Sequence, residues 1–291
     1  MPTGINSTGT IDNHLALLHN IERQDKMIEA QAAETQRRLV WSIIGIIAAV
    51  GLLILIGNVS PNLLPIGFIV LVMSVAIAFG VWAKLGDQKK QDIEDRRIQL
   101  PLKFLGVIGR DISPAVPVAL NVDFQGYKVH GKLLEQNRGN MLNPVSTFKY
   151  ADNWFGARGK LADGNRFNVS IKQNIKRKEK RKRKYTKVNE RIDEDITLVL
   201  RISPTRYPNW QLLNQYLSPG VHDNLQITRL HVAPDGLRLV CTTPEVNNVY
   251  VLNSATSPST TGATLADGDT LLRLFLYVYN QLEKCRGTEQ K

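Results

Sequence analysis

A dense run of basic residues is the segment of this sequence whose chemistry is easiest to define. Residues 172–187 read KQNIKRKEKRKRKYTK; ten of these sixteen residues are Lys or Arg, and one, Glu179, is acidic. The run carries a net charge of +9, which leaves +2 for the rest of a chain whose formal net charge is +11. Charge concentrated in this way is typical of a surface that binds a polyanion. The alternative is a solvated loop that only maintains solubility.

Most basic residues of this run are candidate polyanion-binding residues. They are Lys176, Arg177, Lys178, Lys180, Arg181, Lys182, Arg183, Lys184 and Lys187. Tyr185 is the one aromatic residue in the run, whereas proteins that hold single-stranded nucleic acid by stacking use several aromatic side chains. The run therefore predicts contact with phosphates or lipid headgroups rather than with nucleobases.

No short motif in the sequence predicts a reaction. The chain has no GxxxxGK[ST], HExxH or GxSxG motif, and no Cys/His cluster with the spacing of metal ligands. The two cysteines, Cys241 and Cys285, are far apart and are expected to be ordinary buried thiols. We therefore expect no catalytic residue, no metal and no cofactor. An enzyme whose catalytic residues form no short motif stays open.

Two uncharged apolar segments predict a transmembrane helical hairpin. Residues 39–56 and 63–83 are 18 and 21 residues long and contain no Asp, Glu, Lys or Arg. At 1.5 Å per residue each helix would cover roughly 27–31 Å, which is about the thickness of a hydrocarbon core. Trp41 and Trp82 fall at the ends that a hairpin places on the same side of the bilayer, as an interfacial aromatic belt requires.

Small residues within these spans predict how the two helices contact each other. Small side chains four residues apart allow close approach of helix backbones in a membrane. The candidate packing residues are Gly45, Ala49, Ala76 and Gly80.

The charges that flank the spans predict the orientation of the hairpin. The twenty residues before the first span contain four Lys or Arg residues, the twenty after the second contain six, and the connection at 57–62 contains none. By the positive-inside rule both termini face the cytoplasm, and the chain is predicted to be an integral protein of the cytoplasmic (inner) membrane.

These patterns divide the chain into four predicted regions. Residues 1–38 are predicted to form an N-terminal cytoplasmic helix and residues 39–83 the transmembrane hairpin. A juxtamembrane helix is predicted over 84–100, ending at Pro101. The remaining residues, 101–291, are predicted to form a cytoplasmic α+β domain large enough for its own core.

Alternating apolar residues predict an antiparallel sheet in this last region. Segments such as 167–171 and 196–202 alternate and are separated by turn sequences, which predicts a β-meander of seven or eight short strands. One pair of strands is predicted to extend into a long basic β-hairpin. A helix over 269–285 carries an apolar stripe and is expected to pack on one face of the sheet.

The basic run is expected to form the outgoing arm and tip of this hairpin. Matching apolar faces places Phe167 opposite Ile202 and Lys176 opposite Asp193, with the tip near residues 184–185. A register shifted by two residues matches the same faces and stays open. The core is expected to close without the distal hairpin. Acids of the return arm are expected to neutralise the hairpin base but not its tip; they are Glu190, Asp193, Glu194 and Asp195.

Taken together, the residues predict a membrane-anchored interaction or scaffold protein. Its cationic hairpin is expected to engage a polyanion at the cytoplasmic face of the membrane, either anionic lipid or nucleic acid. Docking of an acidic protein as a non-enzymatic subunit of a larger membrane complex stays open, as does a homo-oligomer.

Overall fold

The computed structural model describes residues 2–59, 64–91, 93–140, 144–217, 220–222, 225–252, 259–262 and 265–286. They fall into two compact units. One is formed by residues 20–93, and the other by residues 2–19 together with the chain from Glu94 onward.

Long helices and an antiparallel sheet make up these units. The helices are α1 (Ile11–Val59), α2 (Leu64–Gln91), α3 (Asp95–Ile108), α4 (Leu213–Tyr216) and α5 (Gly268–Glu283). The strands are β1 (Gly4–Gly9), β2 (Val118–Asp123), β3 (Leu133–Asn137), β4 (Val145–Lys160), β5 (Arg166–Arg181), β6 (Thr186–Arg201), β7 (Val221–His222), β8 (Leu225–Ala233), β9 (Gly236–Thr242), β10 (Val246–Val251) and β11 (Ser259–Gly262). The predicted combination of apolar helices and an antiparallel sheet is confirmed.

The first unit contains the two predicted apolar segments as helices. The predicted N-terminal helix and first span form the continuous helix α1, and the second span continues into the predicted juxtamembrane region as α2. Both helices are long and apolar enough to cross a membrane, and almost none of either apolar window is buried within the protein. Residues 60–63, which include half of the predicted connection and the first residue of the second span, lie outside the described residues.

The small residues predicted to pack the two spans together differ in their surroundings. Ala49 is buried, but Gly45, Ala76 and Gly80 are exposed, and a Cβ added at Gly45 or Gly80 would meet no atom within 4 Å. The close approach is instead at Gly67, where an added Cβ would lie 3.5 Å from Leu53 Cγ.

A different row of residues on α2 faces the first helix. The less exposed positions recur at intervals of three and four residues, which keeps them on one side of the helix. They are Gly67, Leu71, Ser74, Ala78, Val81 and Leu85. Size alone could not predict this face, because Gly80 is rotated by about 100° from its neighbour Val81 on a 3.6-residue helix.

Helix α3 belongs to the sheet-containing unit and runs through Pro101. The helix was predicted to end there, since proline removes one helical hydrogen bond and crowds the preceding turn at a cost of about 3 kcal/mol. In the structure Pro101 is buried inside α3, on the side that also buries Leu100, Phe104 and Leu105. Burying large apolar side chains at about 1.5–3 kcal/mol each offsets that cost.

The sheet is antiparallel and wider than the predicted meander. Its order is β1-β2-β4-β5-β6-β9-β8-β7, with β3 paired to β4 and β10 paired to both β6 and β11. The described residues thus contain eleven strands instead of seven or eight. Among the strands that the sequence did not predict is β1, whose sequence GINSTG lacks an apolar alternation but pairs with β2 along its whole length.

Helices α3 and α5 cover one face of this sheet, which we call the inner face. Phe104 of α3 makes edge contacts with Phe155, Phe167 and Phe275, at centroid distances of 5.9, 6.2 and 6.1 Å. The predicted C-terminal helix is confirmed, and the Asp267 carboxylate caps it by accepting a hydrogen bond from Thr270 N at 2.8 Å. Because side chains alternate along a strand, the neighbours of Phe167 point to the opposite, outer face.

Candidate functional site: a basic hairpin and its setting

The basic run forms the second half of β5 and the turn into β6, as predicted, but in the shifted register. Phe167 pairs with Leu200 and Lys176 with Arg191, so the expected pairing of Phe167 with Ile202 is wrong by two residues. A shift of two leaves every apolar side chain on the same face, which is why alternation could not distinguish the registers. The turn is closed by a hydrogen bond from Lys182 N to Tyr185 O at 2.8 Å.

The hairpin is embedded in the sheet nearly to its end. Strand β4 accompanies β5 as far as the pair Val145 and Lys180. On the other side β10 accompanies β6 as far as the pair Val251 and Lys187. Only the turn and its immediate neighbours extend beyond these flanking strands. The arms are therefore part of the sheet, and the charged tip projects from it.

Five basic residues form this end of the hairpin, and we call them the basic tip: Lys180, Arg181, Lys182, Arg183 and Lys184. All five are exposed. Within the described residues none of them makes an ion pair with an acid. The expectation that return-arm acids do not reach the tip agrees with this geometry.

The other predicted binding residues divide between the two faces of the sheet. Lys176, Lys178 and Lys187 are exposed on the outer face. Arg177 is different, because it is 7 % exposed and points to the inner face. Its guanidinium pairs with Glu190 at 2.9 Å and Glu179 at 2.7 Å. Arg177 is therefore engaged by internal acids in this structure, and its contact with a polyanion stays a prediction.

Two tyrosines complete the buried site of Arg177. The hydroxyls of Tyr127 and Tyr250 both donate to Glu190 Oε1, and Arg177 Nη1 donates to Tyr250 Oη at 3.0 Å. Burial, with the hydrogen bond to Glu190 as the next cause, raises the pKa of both tyrosines. Both phenols therefore stay protonated as donors, and this cluster anchors β5, β6 and β10 to one another.

The acids of the return arm also have partners that the sequence did not indicate. Asn174 donates to both Asp193 and Asp195, at 3.0 Å each, while burial raises the pKa of Asp193. Glu194 is fully buried and pairs with Arg96 of α3, not with the basic run. Of the four acids, only Glu190 neutralises a base of the hairpin by an ion pair within the described residues.

The pair of Arg96 and Glu194 is the strongest polar link between α3 and the sheet. Arg96 Nη1 and Nη2 contact the two carboxylate oxygens at 2.8 and 2.6 Å, a bidentate arrangement. Arg96 also lies 4.9 Å from the ring centre of the buried Trp154. The sequence predicted only a flanking charge at Arg96, because a positive-inside count does not distinguish exposed from buried arginines.

Arg97 makes a second buried link beside the first. Its Nη2 contacts Asp152 at 2.7 Å, and its Nη1 donates to the carbonyls of Asp123 and Gln125 at 2.8 and 2.9 Å. Asp152 also forms an ion pair with Lys132, whose Nζ lies 2.7 Å from Asp152 Oδ1. These contacts fix the end of α3 on β2 and β4.

Tyr185 at the tip is already engaged by a basic side chain. Lys182 Nζ donates to the Tyr185 hydroxyl at 2.9 Å and lies 5.1 Å from the ring centre. That hydrogen bond lowers the pKa of Tyr185. The basic tip therefore presents positive charge, while its neighbouring aromatic ring is already in contact with Lys182 and is not free to stack on a base.

The outer face behind the tip adds a row of positive charges across three strands. Lys149 of β4 is opposite Lys176 of β5, which is opposite Arg191 of β6. Lys180 is likewise opposite Lys187. Lys149 also pairs with Glu135 at 2.6 Å and Arg191 with Glu245 at 3.6 Å, so the repulsion across these strands is partly neutralised within the protein, and Lys176 is the member of the row without an ion pair among the described residues.

The buried cluster of Arg177 and Glu190 replaces the expectation that the core closes without the distal hairpin by a different prediction about folding. Deleting residues 176–187 and joining the ends through Asn-Gly should lower the free energy of unfolding by at least about 3 kcal/mol, since it leaves Glu190 buried without Arg177. Urea denaturation of the solubilised chain measures this. The paired control, Arg183→Asn with Lys184→Gly, places a favoured turn sequence at the same tip and should unfold near the wild-type midpoint. Equal stability of both variants would mean that the arms pack on nothing essential.

The two cysteines agree with their predicted role as ordinary thiols. Both are buried and unpaired in a disulfide, and burial raises the pKa of Cys241 to about 12. A thiol with so high a pKa is a poor nucleophile at neutral pH.

Comparisons with known proteins gave no match for this chain. No protein-family model, no curated protein and no solved structure matches it.

Proposed function

We propose that this chain is a membrane-anchored interaction protein whose basic tip binds the anionic surface of the membrane that holds it. The observation that carries the proposal is the basic tip itself, five exposed cations without an acid partner among the described residues. The helices α1 and α2, long and apolar enough to span a bilayer, support the anchoring part.

Anionic lipid is the favoured polyanion because a tethered domain is always near headgroups. Each Lys or Arg close to an anionic leaflet contributes about 1 kcal/mol, so the five charges of the tip supply roughly 5 kcal/mol before ordering costs. The engagement of Tyr185 by Lys182 supports a contact made by charge and not by stacking.

The anchor is proposed to be a hairpin with both termini in the cytoplasm. The absence of Lys and Arg from 57–62, against their abundance on both outer flanks, supports this orientation. Lipid in the inner leaflet then lies on the same side as the sheet-containing unit.

Vesicle binding by the full chain tests the proposal. The protein is reconstituted in phosphatidylcholine nanodiscs and mixed with vesicles of phosphatidylglycerol or of phosphatidylcholine at rising KCl. We expect binding to phosphatidylglycerol only, and a steep loss with salt. Salt-insensitive binding, or a preference for RNA or an acidic protein over phosphatidylglycerol that is lost when residues 180–184 are changed to Gln, would replace the lipid assignment with another partner class.

The orientation gives a separate prediction. A single cysteine introduced at Gly126 of a cysteine-free chain should be protected from an impermeant maleimide in intact cells and react after lysis. One introduced at Asn58, in the connection, should react from outside. Labelling of the Gly126 position in intact cells would contradict cytoplasmic placement of the sheet-containing unit.

A further inference from the structure

A second basic surface lies on the outer face of the sheet, at the end away from the tip. We call it the arginine patch: Arg158, Arg166, Arg201, Arg229 and Arg238. These residues come from β4, β5, β6, β8 and β9, so they are spread over eighty residues of sequence and meet only in the folded sheet. All five are exposed.

Residues of the patch that lie opposite each other on neighbouring strands repel one another when no ligand is bound. Arg166 lies directly opposite Arg201 on β6 and opposite Lys160 on β4. None of the five arginines makes an ion pair within the part of the chain that the structure describes. Like charges directly across a sheet destabilise it, so this arrangement favours an anion that bridges neighbouring strands. Exposed guanidinium groups match phosphate oxygens particularly well, because their fork of donors can bind two oxygens at once.

The patch and the row formed by Lys149, Lys176 and Arg191 lie at two ends of the same face. Arg166 and Lys176 are ten residues apart on β5, which at the rise of a strand is about 33 Å. One turn of a B-form duplex is about 34–36 Å. A duplex lying along the strands would therefore bring a phosphate backbone to both basic clusters.

The middle of the outer face distinguishes a duplex from a flat membrane. Between the two clusters this face carries Asp193 and Asp195, both half-buried, and the exposed Lys172, which lies opposite Asp195. A continuous anionic plane would press against these acids, whereas a duplex turns a groove toward the centre while its backbone meets the ends. Since the two acids outnumber Lys172, the centre carries no net positive charge between two basic ends, which fits the periodic ligand.

We propose that the outer face of the sheet binds the phosphate backbone of duplex nucleic acid, without reading its sequence. The arginine patch and the Lys149 row hold successive turns of the duplex. This site is separate from the basic tip and does not depend on the proposed lipid contact.

The test uses the full chain in phosphatidylcholine nanodiscs with the basic tip neutralised by Gln at residues 180–184, so that the tip cannot supply the binding. Anisotropy of a labelled mixed-sequence DNA duplex of about 20 base pairs, two turns, is followed at rising KCl. Adding Arg166→Gln and Arg201→Gln should weaken binding about tenfold and reduce the log–log salt slope by about 2. The same pair should leave the melting temperature unchanged or raised, because it removes a repulsion.

A matched control removes two exposed charges from outside the outer face. Arg110→Gln with Lys128→Gln should leave affinity and slope close to those of the parent. Lys176→Gln with Lys178→Gln should weaken binding as the arginine pair does, because both lysines are exposed on the outer face and neither makes an ion pair within the described residues. A duplex of about 6 base pairs, shorter than one turn, should lose the contribution of one cluster. Absence of duplex binding, equal losses in the control, or unchanged duplex binding when Arg166 and Arg201 are neutralised would overturn the proposal.

Discussion

Neutralising the basic tip is expected to abolish most binding of the full chain to anionic vesicles. Changing Lys180, Arg181, Lys182, Arg183 and Lys184 to Gln removes about 5 kcal/mol of attraction to an anionic leaflet, which corresponds to a loss of more than a hundredfold after ordering costs are subtracted. Sedimentation with phosphatidylglycerol vesicles measures the loss. The steep dependence on KCl should disappear with it.

Two comparison variants make this result specific. Tyr185→Ala should change vesicle affinity little, since that ring contacts Lys182 and the proposed binding relies on charge. Replacing the five residues with five lysines should retain most of the affinity, because a headgroup surface requires charge and not a bidentate fork. A loss from Tyr185→Ala equal to that of the neutralised tip would point to stacking on nucleobases and contradict the lipid assignment.

Removing the charge of Glu194 is expected to be the most destabilising single change in the sheet-containing unit. Glu194→Gln keeps the shape of the side chain but leaves Arg96 without its carboxylate, at a cost of about 3–5 kcal/mol in the free energy of unfolding. The same carboxylate also accepts hydrogen bonds from Ala266 N at 3.0 Å and Trp154 Nε1 at 3.3 Å. Urea denaturation followed by the fluorescence of the buried Trp154 reports the loss.

Glu245 provides the matched control for this change. It lies 3.6 Å from Arg191 with both side chains about half exposed. Water solvates Arg191 both in the wild-type protein and in the variant. Glu245→Gln should therefore shift the free energy of unfolding by less than about 1 kcal/mol. Equal costs at Glu194 and Glu245 would mean that water reaches Arg96 in the folded protein.

Alternation and hydrophobicity predicted the elements that have a strong local pattern. The apolar segments at 39–56 and 63–83 became parts of α1 and α2, and the alternating arms around Phe167 and Leu198 became β5 and β6. The register of those arms was not predictable, because pairings that differ by two residues bury the same side chains. The contacts of β4 and β10 with the hairpin arms are likewise long-range pairings that no local signal carries.

One physical reason explains why the sequence did not predict the surroundings of several charged residues. Arg177 lies in a run whose members look equivalent in sequence, yet the pleat turns it inward to Glu190 while Lys176 and Lys178 stay exposed on the outer face. Arg96 and Arg97 were counted as flanking charges, although α3 packs them against the sheet, where Arg96 pairs with Glu194 and the buried Arg97 with Asp152. Composition gives the sign of a charge. Only packing decides whether the charged group pairs with another residue or is exposed to solvent.

By itself the sequence determined the features that depend on neighbouring residues: two apolar helices, an antiparallel sheet, a C-terminal helix with an apolar stripe, and one concentrated run of positive charge. Local hydrophobic periodicity is sufficient for such features because a helix or strand must bury the same side chains in any arrangement. The tertiary structure alone decided which bases are free, since the pleat turns Arg177 inward while the tip and the outer-face lysines of the embedded arms stay exposed. It alone assembled the arginine patch, because residues as far apart as Arg158 and Arg238 become neighbours only through strand pairing.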